Sequence, residues 1–278
     1  MERKKVTIQD LQAKKETGER FTMVTAYDYP TGVIVDKAGI DVILVGDSLA
    51  MVVLGLPNTV SVTMDEMLHH CRAVARGAQY PLLVGDMPFM SYQADITDAV
   101  RNAGRFLKEA NMDVVKLEGG AKMAPVAKAI VDAGIPVMGH IGLTPQTVSK
   151  LGGFKVQGKD SAAAQQIVDD ALALEEAGCF SIVLEAIPDR LAKLITEKLT
   201  IPTIGIGAGP HCDAQVLVTH DMVGLFDRFT PKFVKQYVNI HTQMVEALKQ
   251  YKSEVESGEF PGPEHSFTIK DEILERLY

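Results

Sequence analysis

Short runs of Val, Ile and Leu recur along this sequence, and four of them stop at an acidic side chain. They lie within residues 41–48, 82–86, 114–118 and 181–185. Continuous apolar runs of this length are typical of parallel strands that are covered on both faces. A lone acidic group at the end of such a run is costly to bury. The pattern therefore predicts strands whose carboxyl ends meet at one shared polar site.

The same pattern extends to eight predicted strands that alternate with predicted helices. The strands are expected at residues 21–26, 41–48, 82–86, 113–117, 135–140, 181–185, 201–206 and 215–218, and the last long helix at 233–255. Eight such repeats in about 250 residues indicate an α/β fold of the (β/α)₈ TIM-barrel type. We expect a single domain over residues 1–278, with the barrel at 20–255, a C-terminal tail at 256–278 and a short N-terminal helix that closes the bottom of the barrel.

The composition limits the classes of partner. With 28 Lys and Arg against 36 Asp and Glu, the formal charge is −8, so a surface for nucleic acid is not expected. The 3 cysteines form no Cys-x-x-Cys pair, which suits a reducing compartment. No apolar run approaches the ~20 residues that span a bilayer. We expect a cytoplasmic protein that binds small molecules and contacts neither nucleic acid nor membrane.

Barrels of this type carry their active sites at the carboxyl ends of the strands. This rule places six polar residues at one mouth: Asp47, Asp86, Lys116, Glu118, His140 and Glu185. The set offers carboxylate oxygens, and the chain has no paired Cys and no His-x-x-x-His spacing, so it suits Mg²⁺ better than Zn²⁺. A purely structural ion network at the mouth is the alternative.

These residue types suit chemistry on a 2-oxo acid. A divalent cation polarises a carbonyl and stabilises an enolate, and a 2-oxo acid chelates such a cation through its keto and carboxylate oxygens. Lys116 is suited to pair with the substrate carboxylate as a point charge. Glu185 comes from a strand across the barrel, so it is suited to act as a base toward the carbon next to the carbonyl.

Six stretches carry more specific motifs. They read VGDSL at 45–49, GDMPF at 85–89, VKLEGG at 115–120, GHIGLTPQ at 139–146, IGIGAG at 204–209 and FPGPEH at 260–265. Together and in this order they resemble the ketopantoate (3-methyl-2-oxobutanoate) hydroxymethyltransferase family over nearly the whole chain. The resemblance implies a TIM barrel of the phosphoenolpyruvate/pyruvate type. It also implies transfer of a hydroxymethyl group from 5,10-methylenetetrahydrofolate to 3-methyl-2-oxobutanoate through a Mg²⁺-stabilised enolate, in pantothenate and coenzyme A biosynthesis.

The resemblance also implies roles for individual residues at this mouth. The metal ligands would be Asp47, Asp86 and Glu118, the last of them directly or through water. The substrate would be bound by Asp47, Ser48, Asp86 and Lys116, and the catalytic base would be Glu185. Family members commonly form decamers of two stacked pentamers, so a homodecamer is expected.

The chain departs from the family pattern in the connection after Asp47, which we expect to be long, apolar and irregular. Ala50 stands where the family usually has Gly, and residues 56–58 are less polar than expected. These departures bear most on folate specificity. Two alternatives therefore stay open at this point: a folate-independent 2-oxo acid aldolase or lyase of the same superfamily, and a non-catalytic barrel that binds a keto acid.

Overall fold

The computed structural model of the chain describes residues 3–147, 153 and 155–277. At its centre, eight parallel strands form a closed barrel in sequential order. The strands are β1 (Phe21–Thr25), β2 (Val42–Val45), β3 (Leu82–Asp86), β4 (Val114–Lys116), β5 (Val137–Gly142), β6 (Ser181–Glu185), β7 (Thr203–Ile206) and β8 (Ala214–Leu217). Each predicted strand lies close to its expected place, so the (β/α)₈ prediction is confirmed.

The strand register fixes which side chains become neighbours at the mouth. Each strand pairs in parallel with the next, and β8 closes the barrel against β1 by pairing Ala214 with Phe21. The β3–β4 register places Asp86 beside Lys116. The β5–β6 register places Gly142 beside Glu185. Chemistry-bearing residues from distant parts of the sequence are therefore brought together by backbone pairing.

Helices alternate with these strands. Those within the described residues are Ile8–Thr17, Tyr29–Lys37, Leu49–Val52, Met64–Gly77, Ile96–Ala110, Ala124–Asp132, Ser161–Glu176, Asp189–Lys198, Thr219–Met222, Ile240–Ser257 and Asp271–Leu274, with 3₁₀ turns at Pro145–Thr147 and Pro263–His265. In that part of the chain, no helix combines the length and the apolar character that crossing a bilayer requires.

Two sequence predictions about helices were wrong. The connection after Asp47 is not irregular throughout, because Leu49–Val52 forms a short helix within it. The last long helix begins at Ile240 instead of at residue 233. The side chain of Asn239 accepts a hydrogen bond from the backbone N–H of Thr242 at 2.9 Å, and this N-cap sets the start of the helix.

The N-terminal helix closes the bottom of the barrel, as predicted. Leu11 of this helix is fully buried and packs in one cluster with residues of the strands. The strand members of that cluster are Phe21, Met23, Val42, Leu44, Leu82, Val84, Val114, Met138, Val183, Ile204, Ala214 and Val216. The lower part of the barrel is therefore a packed apolar core, and the polar chemistry is confined to the opposite end.

The chain divides into two compact units. One unit runs up to His220 and includes Pro231–Val234, and it contains the whole barrel. The other contains Asp221–Thr230 and the residues from Lys235 onward. In this second unit, helix Ile240–Ser257 buries none of its residues. The expected extent of a single domain over residues 1–278 stays a prediction.

Candidate active site

The six polar residues predicted for the barrel mouth all lie at the carboxyl ends of the strands. Asp86, Lys116 and Glu185 are the last residues of β3, β4 and β6. Asp47 and Glu118 each follow a strand by two residues, and His140 lies within β5. All of them except Glu185 are buried. The structure thus brings together the whole set that the sequence placed at this end.

Asp47 and Asp86 form the acidic centre of the site. The backbone N–H of Asp47 donates to Asp86 Oδ2 at 3.1 Å, and both side chains are almost completely shielded from solvent. Burial, together with the charges of Asp86 and Glu118, raises the pKa of Asp47 well above its usual range. Burial also raises the pKa of Asp86, although Lys116 partly offsets this. Two acidic groups held so close are arranged to receive a cation.

Lys116 supplies a positive charge to this cluster. Its Nζ lies 2.8 Å from Asp86 Oδ1 and 3.2 Å from His140 Nδ1. Burial disfavours the charged amine, but the nearby carboxylates, led by Asp86, outweigh burial and raise the pKa of Lys116. Lys116 is therefore held as an ammonium ion, which disfavours the Schiff-base chemistry that needs a neutral amine.

His140 connects the acidic cluster to Glu185. Its Nδ1 lies 3.5 Å from Glu118 Oε1, and its Nε2 lies 3.1 Å from Glu185 Oε2. Burial and the charge of Lys116 oppose protonation of the ring, but the contacts with Glu118 and Glu185 outweigh them and raise the pKa of His140 to about 9. The sequence analysis gave His140 no role, although its place within a motif and at a strand end was a usable signal.

Glu118 is held by protein groups on both of its carboxylate oxygens. Its Oε1 faces His140, and its Oε2 accepts a hydrogen bond from the backbone N–H of Gln146 at 3.0 Å. Burial raises the pKa of Glu118, but the interaction with His140 outweighs it, so the net effect is a lowered pKa. Glu118 is therefore an anion that is held in place by protein groups.

Ser48 lies next to Asp47 in the chain, at the start of helix Leu49–Val52. Its Oγ lies within hydrogen-bonding distance of the Tyr27 hydroxyl, at 2.8 Å, which holds the serine side chain in place. Ala50, the departure from the family pattern, is buried inside this short helix, and its backbone N–H donates to Asp47 O at 3.0 Å. A helical position does not require glycine, so the alanine keeps Asp47 and Ser48 in place.

Gln146 and Tyr92 are site residues that the sequence analysis missed. Gln146 Nε2 donates to Asp47 Oδ2 at 3.0 Å, and Tyr92 OH donates to Gln146 Oε1 at 2.7 Å. Both side chains are buried. Gln146 lies in the motif at residues 139–146, which was the only sequence signal for it. Tyr92 lies in a loop with no distinguishing pattern.

Gly142 allows β5 to pass close to Glu185. The residue has a φ of +92°, and a Cβ atom at this position would lie 2.3 Å from the backbone oxygen of Glu185. Leu143 N donates to that same oxygen at 2.9 Å. A side chain at position 142 would therefore displace the strand end that carries Glu185, which explains the glycine here.

The carboxylates at the mouth are the candidate ligands for the Mg²⁺ that the resemblance implies. Among the residues that the structure describes, no group of three or more His, Cys, Asp or Glu side chains is arranged to hold a metal ion. Mg²⁺, however, is commonly bound through one or two carboxylates and keeps water or substrate oxygens in its other positions. Asp47 and Asp86 are adjacent, oxygen-only and deprived of solvent, so the two aspartates fit such an ion.

Comparison with known proteins gives a consistent result across nearly the whole chain. A family model described as ketopantoate hydroxymethyltransferase matches residues 5–263. A 3-methyl-2-oxobutanoate hydroxymethyltransferase of Moorella thermoacetica is 60% identical over 266 residues, which is 96% of this chain and 99% of that protein. The protein of the same name from Syntrophomonas wolfei is 57% identical over 274 residues, covering 99% of each chain.

Solved structures with the same fold are much more distant in sequence. A phosphonopyruvate hydrolase structure superposes with a TM-score of 0.63 at 14% identity, covering 97% of this chain and 94% of that one. A 2,3-dimethylmalate lyase, described as a member of the PEP mutase/isocitrate lyase superfamily, gives a TM-score of 0.59 at 13% identity, covering 94% and 91%. These likenesses confirm the TIM-barrel fold.

Proposed function

The chain belongs to the ketopantoate hydroxymethyltransferase family, and we propose that the cluster at its barrel mouth carries out the reaction of that family with Glu185 as the base. The activity is the transfer of a hydroxymethyl group to 3-methyl-2-oxobutanoate, which gives 2-dehydropantoate. One observation carries the assignment of residues: a continuous chain of contacts runs across the mouth. Asp47 is hydrogen-bonded to Asp86, and Asp86 contacts Lys116. Lys116 contacts His140, which in turn contacts Glu185 at the end of β6.

Asp47 and Asp86 would hold a divalent cation, Mg²⁺ in our proposal, and Glu118, which belongs to the same cluster, would hold it directly or through water. When bound, the cation supplies a Lewis acid that polarises the keto group of the substrate. Lys116 contributes the positive charge nearest to this pair, which suits the carboxylate of a 2-oxo acid. Ser48, oriented by Tyr27, offers a hydroxyl to the same ligand.

Glu185 is the member of the cluster best placed to accept a proton from the substrate. It is the partly exposed carboxylate of the set, with 14% of its side chain accessible, whereas the other acidic groups are shut off from solvent. The C3–H bond breaks, its proton goes to Glu185, and its electron pair remains on the substrate as an enolate. His140, 3.1 Å from Glu185 Oε2, orients the carboxylate for this transfer.

The enolate carbon then forms a bond to the one-carbon unit of 5,10-methylenetetrahydrofolate, which we propose as co-substrate. Both bonds from that carbon to the two folate nitrogens break, and one water molecule supplies the hydroxyl group. The remaining proton of that water and the proton taken up by Glu185 go to the two nitrogens, so tetrahydrofolate leaves. This balance distinguishes the transferase from a 2-oxo acid aldolase or lyase, which would need no folate. A barrel that only binds a keto acid would perform neither step.

Omission of each component tests this proposal directly. We expect 2-dehydropantoate to form only when 3-methyl-2-oxobutanoate, 5,10-methylenetetrahydrofolate and Mg²⁺ are all present, and EDTA to stop its formation, because the aspartates alone cannot polarise the keto group. The product is quantified by mass spectrometry. Product formed without the folate would favour the aldolase, and full activity in EDTA would contradict the role given to Asp47 and Asp86.

We also propose that the chain assembles into a homodecamer of two pentamers. The support is helix Ile240–Ser257, none of whose residues is buried. Met244, Leu248, Tyr251 and Val255 recur on it at helical spacing and are 45% to 64% exposed, and such an apolar stripe is typical of a surface that another chain covers. Sedimentation equilibrium should give ten times the 30.2 kDa of one chain, and a monomer mass would contradict the proposal.

A further inference from the structure

Gln146 forms several hydrogen bonds with residues of the site, although the proposed reaction gives it no role. It lies in the 3₁₀ turn Pro145–Thr147 after β5 and is 3% exposed. Its Nε2 donates to Asp47 Oδ2 at 3.0 Å and to Met87 O at 2.9 Å. Its backbone N–H donates to Glu118 Oε2 at 3.0 Å. One residue therefore contacts two acidic side chains and the residue that follows Asp86.

The orientation of the Gln146 amide is determined by its neighbours. Its Oε1 accepts from the hydroxyl of Tyr92 at 2.7 Å and from Nε2 of Gln93 at 3.2 Å. Both contacts of Nε2 are acceptors, so the amide has donors on one side and acceptors on the other. The reversed amide would place an oxygen against a carboxylate and a carbonyl in a buried region, which is strongly unfavourable.

Tyr92 ties this amide to the strand end that carries Glu118. Its hydroxyl accepts from the backbone N–H of Glu118 at 3.0 Å and lies 3.1 Å from the backbone oxygen of the same residue. The hydroxyl is therefore held between the Glu118 backbone and the amide oxygen of Gln146.

We propose that Gln146, with its amide oriented by Tyr92, is a positioning residue that holds the Asp47 carboxylate in a fixed orientation toward the proposed cation site. One oxygen of Asp47 accepts a hydrogen bond from the amide, which restricts rotation of the carboxylate. The same turn holds Glu118 through the backbone of Gln146. This inference rests on the proposed metal site at Asp47 and Asp86.

Metal affinity is the property that tests it, with Mn²⁺ as the probe because its free form is measured by electron paramagnetic resonance. Gln146→Met keeps the length of the side chain and the backbone N–H but removes the donor to Asp47. Loss of a hydrogen-bond partner that orients a metal ligand typically weakens metal binding by about 10-fold to 100-fold, and we expect a Kd increase in this range, measured without substrate. Tyr92→Phe should increase the Kd by a smaller factor.

Gln165→Met is the matched control. Gln165 Nε2 donates to Asp169 Oδ1 at 2.8 Å on the exposed face of helix Ser161–Glu176, so this variant loses an amide–carboxylate hydrogen bond on the surface, outside the buried cluster. Its Kd for Mn²⁺ should equal that of the unmodified protein. Equal denaturant midpoints for the Met variants would show that the change in affinity is not a consequence of partial unfolding.

Two results would count against the proposal in different ways. An unchanged Kd in Gln146→Met, or in Tyr92→Phe should the first variant not fold, would overturn the positioning role while leaving the metal site and the transferase activity intact. A failure of the unmodified protein to bind Mn²⁺ at all would overturn the metal site itself, and the role of Gln146 with it.

Discussion

Glu185→Gln is expected to abolish the exchange of the C3 proton of 3-methyl-2-oxobutanoate with D₂O while leaving the substrate bound. Glutamine has the shape of glutamate but cannot accept the proton, and loss of a positioned base typically costs about 10²-fold to 10⁴-fold in rate. Exchange is followed by proton NMR with Mg²⁺ and without folate, so that enolisation is observed separately from carbon transfer. Substrate binding is measured in parallel by calorimetry and should change little.

Glu197→Gln is the control for this experiment. Glu197 is 63% exposed and lies 3.7 Å from Lys193 on the surface, so its replacement should leave exchange unchanged. If Glu185→Gln exchanges the proton as fast as the unmodified protein, another group accepts it, and the role of Glu185 as the base is overturned. If the unmodified protein exchanges no proton without folate, the measurement is repeated with tetrahydrofolate present, because the co-substrate would then have to bind first.

The sequence was sufficient for the barrel because each strand carries its own signal. A run such as 82–86 is apolar, short and closed by an aspartate, and eight similar segments leave few other folds for a chain of this length. The same signal located Asp86, Lys116 and Glu185, because each is the residue at which a strand ends. Their convergence follows from the geometry of parallel strands in a closed barrel.

The residues that hold these side chains in place could not be predicted in the same way. His140 and Gln146 contact Glu185 and Asp47 across gaps of 45 and 99 positions in the sequence, and no local pattern encodes such pairings. Tyr92 enters the site from a loop, where apolar periodicity carries no information. The roles of His140, Gln146 and Tyr92 can therefore be assigned only from the hydrogen bonds in the structure.

The start of the last long helix shows a different reason for failure. Residues 233–239 were predicted to be the first part of the helix, but the backbone N–H of Tyr237 donates to Met222 O at 2.9 Å instead of entering a helical turn. Asn239 then caps the helix through Thr242. The contact with a residue 15 positions earlier is one that sequence periodicity does not register.

Lys116→Met is expected to lower the free energy of unfolding by about 3–5 kcal/mol, the usual cost of leaving a buried charge without its partner. Lys116 is 3% exposed and lies 2.8 Å from Asp86 in a cluster that also contains Asp47 and Glu118. Methionine keeps most of the volume of the lysine side chain. The loss of unfolding free energy therefore results from removal of the charge and not from a cavity. Urea unfolding in EDTA measures it, since a bound cation could otherwise replace the ammonium group.

Lys128→Met is the matched control for Lys116→Met, because Lys128 pairs with Asp132 at 3.0 Å but is 61% exposed. An exposed pair contributes about 0–1 kcal/mol, so this variant should unfold almost like the unmodified protein. Adding Asp86→Asn to Lys116→Met should recover part of the lost stability, since the uncompensated carboxylate is then removed. A loss below about 1 kcal/mol in Lys116→Met itself would mean that the acidic cluster does not depend on this cation. The role of Lys116 would then be confined to binding the substrate.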